Sequence, residues 1–421
     1  MKVFKFGGAS VNSVERIKNI GHILDHWAGE KLLVVISAMG KTTNALEKVT
    51  EAFFHGKKEV ALELFEQVKQ QHLTTAKYLL VTNYIACEEQ LKNFFTEAEW
   101  LLHDKPVREY DYYYDQVVCV GELLSTAIVS QYLTERSINN KWVDVRDIIR
   151  TDDNFRDAGI DWEFTNDKVQ HSIVPIFNDT HIILTQGFIG ATDENESTTL
   201  GREGSDYTAA VFANMLDAES LTIWKDVESV MNADPKQFPD ALPIHELNYN
   251  EVIEMAYYGA QVIHPKTIKP LQNKGIPFYV KCFLNPSLQG TVIHDQSLKH
   301  LPPIIVLKEN QVMLEMSSKD FSFVGEHHVG HLYHLFEKLK VKPNLTQNGA
   351  ISFLCVLDDR AERIEKLALE ASSFFDVQVL RGLSLLTIRH YNESILRSMI
   401  KESSILLRQQ TPETIQVLMK N

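Results

Sequence analysis

The first residues able to do chemistry stand near the amino terminus, in the run KVFKFGGAS at positions 2–10. Lys5 lies in a predicted strand, and Gly7 and Gly8 follow that strand where a helix is predicted to begin. Glycines let backbone N–H groups approach phosphate oxygens, and the amino end of a helix favours negative charge. A lysine beside such a turn can neutralise charge on a phosphoryl group. The run therefore predicts a phosphate site, with an ordinary tight turn as the alternative.

A second candidate is the run GREGSD at 201–206, which precedes a predicted helix. Arg202 has the geometry to hold a carboxylate or a phosphate through two parallel hydrogen bonds. Ser205 and Asp206 stand where helix caps are common, so capping and anion binding remain equal interpretations of this run.

A third candidate is the run WKDV at 224–227, followed by ADPK at 233–236. Lys225 and Asp226 come at the end of a predicted strand, and the carboxyl edge of an α/β sheet is where ligands bind. Solvated charges at a strand end are the plainer alternative for this run.

The hydrophobic pattern around these runs predicts an α/β fold with a mainly parallel sheet. The run KLLVVI at 31–36 is apolar after its first residue, which is typical of a strand buried on both faces of a parallel sheet. Residues 44–104 are polar and helical in pattern and predict a helical insertion. Strands and helices then alternate again, with predicted strands at 182–185, 221–224 and 277–281 and predicted helices at 121–135 and 205–216.

A second region begins after the polar run at 295–303, which ends in two prolines and predicts a linker. Beyond it the segments shorten into a βαββαβ order, which is typical of a small ferredoxin-like domain. The predicted strands are 312–316, 350–357 and 377–380, and the predicted helices are 329–339 and 361–371. A second, shorter set is predicted to start at Ser384.

Composition restricts the class of protein. The chain has 421 residues, 44% of them hydrophobic and 23% charged, which predicts a globular protein of two or three domains. Its net charge of −14 argues against general nucleic-acid binding, which needs a basic surface. The four cysteines show no metal-binding spacing, and no apolar run approaches the length needed to span a bilayer. We therefore expect a cytoplasmic protein without nucleic-acid or membrane partners.

Six blocks, in this order along the chain, resemble the aspartate kinase family of the amino-acid kinase superfamily. They are KFGGAS, SAMGKTTNAL, VGELLS, TQGFIG with TTLGREGSDYTA, IWKDVESVMNADPK and YYGAQVIHPKTIKPL. The resemblance implies a three-layer catalytic domain at 1–302 that carries the helical insertion. It also implies paired ferredoxin-like ACT domains at 303–421, the first over 310–378 and a shortened second over 303–308 and 379–421.

The resemblance implies an aspartate kinase, which transfers the γ-phosphate of ATP to the β-carboxylate of L-aspartate and yields 4-phospho-L-aspartate. That reaction is the first step towards lysine, threonine and methionine, and it implies ATP with Mg²⁺. Two alternatives stay open: a related kinase for another substrate, and a weak or inactive amino-acid sensor on the same fold. A pure sensor has no need of Lys5, so its retention favours the kinase.

The resemblance also assigns roles to residues. Lys5 would stabilise the transferring phosphoryl group, and Asp206 would organise that lysine as the second catalytic residue. Arg202 would hold the α-carboxylate of aspartate, and Glu122 its α-ammonium group. The implied substrate-binding residues are Thr43, Glu122, Arg202 and Ser205. The implied nucleotide-binding residues are Lys5, Phe6, Gly7, Gly8, Ser37, Lys225, Asp226, Met231, Asp234, Lys236 and Gln261, and no protein metal ligand is implied.

The chain departs from the family pattern at positions that bear on these roles. Glu203 replaces the second glycine of the family's GRGGSD run. In the nucleotide loop, Glu228 and Ser229 replace the usual Asp-Gly or Pro-Gly, which bears on the geometry of the turn. The combination of Lys225 and Gln261 resembles plant-type members of the family. In those members the positively charged side chain stands at the position of Lys225 instead of at the position of Gln261. Because the charge near the nucleotide is kept, we still expect ATP to bind.

The ACT region carries a candidate effector site and implies a homodimer formed through its sheets. Lysine-inhibited members tend to have an aspartate at the position of Asn344, where it grips the effector's ammonium group. The following Gln347 and Asn348 resemble threonine-responsive members. We therefore expect weak inhibition by lysine alone and stronger inhibition by threonine or by the two together. A tail that only dimerises is the alternative.

Overall fold

The computed structural model describes residues 1–260, 263–298, 300–400 and 404–420. The chain divides into two compact units. The first consists of Met1–Val230, Pro243–Ile253 and Gln261–Leu298, and the second of Met231–Leu242, Glu254–Ala260 and Lys299–Asn421. Two segments that the sequence-based division places at 1–302, in the catalytic domain, therefore group with the carboxyl-terminal residues: Met231–Leu242 and Glu254–Ala260.

The first unit is built on one large, mainly parallel sheet. The strands up to residue 298 are β1 (Lys2–Phe6), β2 (Leu32–Ile36), β3 (Asn140–Val143), β4 (Ile182–Gln186), β5 (Ile189–Ala191), β6 (Ser197–Thr199), β7 (Ser220–Lys225), β8 (Val230–Met231), β9 (Pro243–Ile244), β10 (Glu246–Asn248), β11 (Phe278–Cys282) and β12 (Thr291–His294). The large sheet has the order β10-β12-β11-β7-β1-β2-β4-β3, and its neighbours are parallel except for β11 and β12. This confirms the predicted α/β class.

Helices make up much of the rest of this region. Those up to residue 298 are α1 (Val14–Asp25), α2 (Thr42–Phe54), α3 (Lys58–Leu79), α4 (Tyr84–His103), α5 (Tyr110–Val118), α6 (Val120–Glu135), α7 (Trp162–Lys168), α8 (Gly204–Met215), α9 (Tyr249–Tyr258) and α10 (Pro265–Gln272). The helical insertion predicted at 44–104 is found as α2, α3 and α4. The stretch Tyr110–Glu135 is long and apolar enough to cross a membrane by length and composition, but 89% of its apolar window is buried inside the protein. That burial is typical of a core helix.

The second unit is built on one antiparallel sheet. Its strands are β13 (Ile304–Ser318), β14 (Leu345–Asn348), β15 (Ser352–Asp358), β16 (Phe375–Arg389), β17 (Ile405–Gln410) and β18 (Thr414–Lys420), and its further helices are α11 (Glu326–Lys338), α12 (Ala361–Ala371) and α13 (Glu393–Met399). The sheet has the order β14-β15-β13-β16-β18-β17. The series β13-α11-β14-β15-α12-β16 has the predicted βαββαβ order of a ferredoxin-like domain.

The long strands β13 and β16 depart from the sequence prediction, because each continues through both predicted ACT domains. The predicted break at Ser384 lies inside β16. The pairing of β13 with β16 shifts register between Lys308 and Gln311. On the two edge strands, Gln409 of β17 donates a hydrogen bond to Thr346 O of β14 at 2.8 Å. The sheet therefore folds back on itself around a buried cluster that includes Leu345, Val356, Leu383, Leu385 and Leu418.

Candidate active site

A cavity of about 460 Å³ lies at the carboxyl ends of β1 and β2, beside the first turns of α6 and α8. The parallel pairing of β1 with β2 ends at Phe6 and Ile36, so the loops that follow both strands meet at one edge of the sheet. Eight residues predicted from the sequence line this cavity: Lys5, Gly8, Ser37, Thr43, Glu122, Arg202, Ser205 and Asp206. The structure thus brings the predicted catalytic pair and the predicted substrate residues together.

Lys5 and Asp206 form a buried ion pair in this cavity, with 2.6 Å between Nζ and Oδ1. Lys5 comes from the carboxyl end of β1 and Asp206 from the first turn of α8. Burial raises the pKa of Asp206, but the charges of Lys5 and Lys225 outweigh it, so this pKa lies below its usual value. Asp206 is therefore ionised at neutral pH and fixes the ammonium group of Lys5.

Glu122 supplies an unpaired carboxylate oxygen to the same cavity. Glu122 is 2% exposed in the first turn of α6, and its Oε1 accepts a hydrogen bond from Ala38 N at 3.3 Å. Within the described part of the chain, its Oε2 has no hydrogen-bond partner. Burial raises the pKa of Glu122 to about 8. Because ionising a buried carboxyl group without a partner is costly, Glu122 favours a cationic group of a ligand, beside which it can ionise.

The loop that carries Arg202 has a left-handed backbone on both sides of it. Arg202 itself is exposed and lines the cavity. Gly201 has a φ of +76°, and a Cβ added there would lie 2.5 Å from Asp157 Oδ1. Glu203 has a φ of +54°, and its carboxylate accepts a hydrogen bond from His264 N at 2.8 Å. That hydrogen bond helps hold a left-handed backbone at a position where the family has glycine.

Gly7 and Gly8 form a tight turn against a neighbouring loop. A short 3-10 helix, Gly8–Val11, follows them, and α1 begins only at Val14. A Cβ added at Gly8 would lie 2.6 Å from Ala38 O, so only glycine permits this approach. The helix predicted at the glycines is therefore found, but as a single 3-10 turn, and the dipole of α1 begins only at Val14.

The predicted nucleotide-binding residues do not all line this cavity. The Phe6 side chain is buried, and its ring stacks on Trp224 with 5.9 Å between centroids. Lys225 ends β7 and contributes to the low pKa of Asp206 described above, whereas Asp226 is exposed after the strand. Other predicted nucleotide residues belong to the second unit, namely Met231, Asp234 and Lys236, and Gln261 lies outside the described residues.

Sequence reasoning missed a second group of cavity residues: Tyr114, Arg156, Phe188 and Thr199. Buried Asp115 connects two of them, because its Oδ2 accepts from Arg156 N at 3.0 Å and from Thr199 N at 2.8 Å. The Arg156 guanidinium lies 4.1 Å from the centroid of the Tyr114 ring. Arg156 and Phe188 have backbone φ values of +71° and +73°, which residues other than glycine rarely adopt. Phe188, inside the TQGFIG block, and Thr199, inside TTLGREGSDYTA, offered the sequence signals that could have found them.

The candidate effector residue Asn344 lies in the second unit, inside a polar cluster of four side chains. Lys308 Nζ donates to Asn344 Oδ1 at 2.7 Å. Asn344 Nδ2 donates to Gln311 Oε1 and to Asp358 Oδ1, each at 2.8 Å. Burial lowers the pKa of Lys308, although Asp358 acts against that effect. The other two candidates are exposed on β14: Gln347 and Asn348.

Comparison with known proteins identifies the class to which this architecture belongs. A family model described as the amino acid kinase family matches residues 1–282. The solved structure of Escherichia coli aspartokinase III with aspartate and ADP matches with a TM-score of 0.82 and 26% sequence identity, covering 100% of this chain and 96% of that chain. The chain therefore belongs to the amino acid kinase family.

Similar proteins within that family include aspartokinases from plants and bacteria. Aspartokinase 2, chloroplastic, of Arabidopsis thaliana is 32% identical over 408 residues, covering 92% of this chain and 73% of the relative. Lysine-sensitive aspartokinase 3 of Escherichia coli is 30% identical over 401 residues, covering 92% of this chain and 86% of the relative. These matches confirm the predicted aspartokinase membership and, with it, an enzyme of the kinase class.

Proposed function

We propose that the chain transfers the γ-phosphoryl group of ATP to the β-carboxylate of L-aspartate and yields 4-phospho-L-aspartate. The observation that carries this proposal is the unpaired Oε2 of Glu122, in the same cavity as Arg202 and the Lys5–Asp206 pair. A dicarboxylic amino acid needs one anionic contact for its ammonium group and cationic contacts for its carboxylates. The similar aspartokinase III was solved with aspartate and ADP.

Substrate recognition would come from four residues of the cavity lining. Glu122 would bind the α-ammonium group of aspartate, because the buried carboxylate then gains the partner that it lacks. Arg202 is exposed at the cavity and would hold the α-carboxylate through two parallel N–H donors. Thr43 and Ser205 offer hydroxyl groups on the same lining. These contacts would direct the side-chain carboxylate of aspartate towards Lys5.

The chemistry would rest on position and charge. The reacting carboxylate is already ionised at neutral pH, so the transfer needs no general base. Catalysis then consists of positioning the two substrates and neutralising the charge that grows on the phosphoryl oxygens. Lys5 would supply that positive charge, and Asp206 would orient Lys5, which the 2.6 Å ion pair and the low pKa of Asp206 support.

The nucleotide would bind beside the carboxyl ends of β1, β2 and β7, where predicted nucleotide residues of the first unit lie: Gly7, Gly8, Ser37, Lys225 and Asp226. Phe6 would contribute only its backbone, since its ring is buried against Trp224. The described ranges contain no group of three or more His, Cys, Asp or Glu side chains arranged to hold a metal ion. Mg²⁺ would be held largely by phosphate oxygens of the nucleotide and would neutralise phosphate charge there.

The test of this function is a hydroxylamine-trapping assay with the full chain, ATP, Mg²⁺ and L-aspartate. Hydroxylamine converts an acyl phosphate into a hydroxamate, so aspartyl hydroxamate should form only when both substrates are present. N-acetyl-L-aspartate is the matched control, because it keeps both carboxylates and lacks the ammonium group that Glu122 would bind. Equal rates with L-aspartate and its N-acetyl form would contradict the proposal, and aspartate binding without hydroxamate would favour the sensor alternative.

We also propose that the enzyme is a cytoplasmic homodimer regulated through its second unit. The similar aspartokinase III of E. coli was solved with lysine. In this chain Lys308 already donates to Asn344, so lysine alone should inhibit weakly, and threonine or the pair more strongly near Gln347 and Asn348. Initial rates with lysine, threonine and both, together with sedimentation, test this proposal. Half-inhibition by micromolar lysine alone would contradict the proposal. No response to either amino acid would favour the alternative in which the carboxyl-terminal region only mediates dimerisation.

A further inference from the structure

A second cavity of the first unit, of about 610 Å³, lies between the sheet and the end of α1. Phe6 directly follows Lys5 along β1, so its side chain points to the opposite face of the sheet. Trp224 of β7 is in register with both Phe6 and Lys281 of β11, which places these three side chains on one face. The second cavity is therefore on the other side of the sheet from the Lys5 ammonium group.

Trp224 lines this cavity, and its indole carries an unsatisfied donor. Trp224 is 3% exposed and its ring stacks on Phe6, but its Nε1 has no hydrogen-bond partner among the residues that the structure describes. Buried indole N–H groups normally find an acceptor, because leaving a buried donor unpaired is costly. Since Trp224 lines the cavity, an acceptor bound there can supply the missing partner.

The ammonium group of Lys281 places positive charge next to that indole. Lys281 is the direct strand partner of Trp224, and its Nζ donates to Leu288 O at 2.6 Å. Burial lowers the pKa of Lys281, and no carboxylate in the described ranges raises it again. At the other end of the cavity, Lys2 forms an ion pair with Glu30 and so carries no excess charge. The cavity is therefore electropositive at its Trp224 end.

Aromatic rings and small hydroxyl groups form part of the remaining lining of the cavity. Trp27 and Tyr279 line it together with Ser220 and Thr222. Ring faces favour a flat aromatic ligand, whereas adjacent N–H donors favour an anion.

We propose that this cavity is a second small-molecule site and that it binds a small aromatic carboxylate. The ring of the ligand lies against Trp27 and Tyr279, and its carboxylate accepts hydrogen bonds from Trp224 Nε1 and Lys281 Nζ. This site does not depend on the proposed aspartate kinase activity, because none of these four residues lines the cavity that holds Lys5, Glu122 and Arg202.

The experiment uses calorimetry on the full chain with two probes, indole-3-acetate and its neutral isostere indole-3-acetamide. The carboxylate should bind about tenfold more tightly than the amide, the difference that one charge-assisted contact supports. Lys281→Met should remove this preference, and Trp224→Phe should weaken the carboxylate more than the amide, since an N–H donor contributes more to a charged acceptor. Saturating L-aspartate and ATP should not displace the carboxylate from the wild-type protein.

The matched control is Lys141→Met, which removes an exposed lysine of β3 and should leave both affinities unchanged. Because Lys281 also holds the loop that contains Leu288, thermal unfolding of Lys281→Met is measured beside binding, and Trp224→Phe keeps that loop contact. Equal affinity for carboxylate and amide in the wild type would overturn the proposal. So would displacement by aspartate or ATP, unchanged carboxylate affinity in both variants, or no binding of either probe below about 1 mM.

Discussion

Two lysine-centred clusters, one in each unit, contain the same kinds of polar group in opposite states of hydrogen bonding. At the candidate active site Lys5 is paired with Asp206, but Glu122 keeps a buried oxygen without a partner and Arg202 is exposed at the cavity. Buried polar groups are normally satisfied within the protein. The unsatisfied oxygen is therefore what the proposed binding of a ligand at this site would explain.

In the second unit, the polar side chains of the cluster around Asn344 form hydrogen bonds with one another. Lys308 donates to Asn344, and Asn344 donates to both Gln311 and Asp358. Gln311 also donates to Asp358 at 3.0 Å. With donors and acceptors matched, this cluster stabilises the shift in register between β13 and β16 and leaves little for an effector to bind. The difference predicts that changes at the first cluster alter kinetics and that changes at the second alter stability.

The largest expected effect is that of Lys5→Ala. Because Lys5 would meet charge that grows in the transition state, its loss should lower kcat by about 10²–10³ and change the KM for aspartate little. Initial rates over a range of aspartate and ATP concentrations measure both constants. Lys18→Ala, which removes an exposed lysine of α1, is the control and should keep wild-type kcat. A Lys5→Ala enzyme with half the wild-type kcat would exclude Lys5 from the mechanism.

Glu122→Gln tests the unpaired oxygen itself. The substitution keeps the shape of the side chain and removes its charge, so the KM for aspartate should rise by about 10–100-fold through loss of a charge-assisted bond. The KM for ATP should change little. Glu89→Gln, at an exposed position of α4, is the matched control. An unchanged KM for aspartate would remove Glu122 from substrate binding and, with it, the contrast between the two clusters.

Glu122 also predicts a pH dependence. Its pKa is raised by burial to about 8, and only the ionised form pairs with an ammonium group, so kcat/KM for aspartate should increase with pH up to about 8. A raised carboxyl pKa means that the folded protein binds more protons than the unfolded chain, so stability without ligand should fall as pH rises from about 4.5 to about 8. Both slopes should be smaller in Glu122→Gln, and equal slopes would contradict the assignment.

Arg202→Lys should have a smaller effect, confined to one substrate. Lysine keeps the charge and loses the two parallel N–H donors, so the KM for aspartate should rise about tenfold. The KM for ATP measured on the same preparation serves as the internal control and should stay near the wild-type value. A defect in ATP binding without one in aspartate binding would assign Arg202 to the nucleotide.

The smallest kinetic effect is expected from Lys308→Met, in the hydrogen-bonded cluster around Asn344. Removing the ammonium group leaves Asn344 Oδ1 without its donor, which should lower the free energy of unfolding by about 1–3 kcal/mol. Kinetic constants should stay at wild-type values. Lys366→Met, at an exposed position of α12, controls for loss of a lysine and is measured by the same urea titration. Tight inhibition by lysine gained in Lys308→Met would show that the cluster is a ligand site.

The sequence by itself determined the α/β class, and the resemblance of its blocks to the aspartate kinase family supplied most of the candidate catalytic set. Lys5, Glu122, Arg202 and Asp206 each stand in a short block next to a strand end or a helix start. Parallel strands bring their carboxyl ends to one edge, so residues predicted separately meet without any knowledge of long-range contacts. Continuous apolar runs such as 32–36 marked the strands of that sheet because both of their faces are buried.

Only the tertiary structure decided the contacts that join distant positions. Asp115 accepts a hydrogen bond from Thr199, 84 residues away, and Lys308 donates one to Asn344, 36 residues away. Neither pair produces a periodic pattern in the sequence. Periodicity reports which face of an element is buried, but it does not report which polar groups meet there. For the same reason the unpaired oxygen of Glu122 could not be predicted from the sequence, since the state of a buried polar atom depends on every segment packed around it.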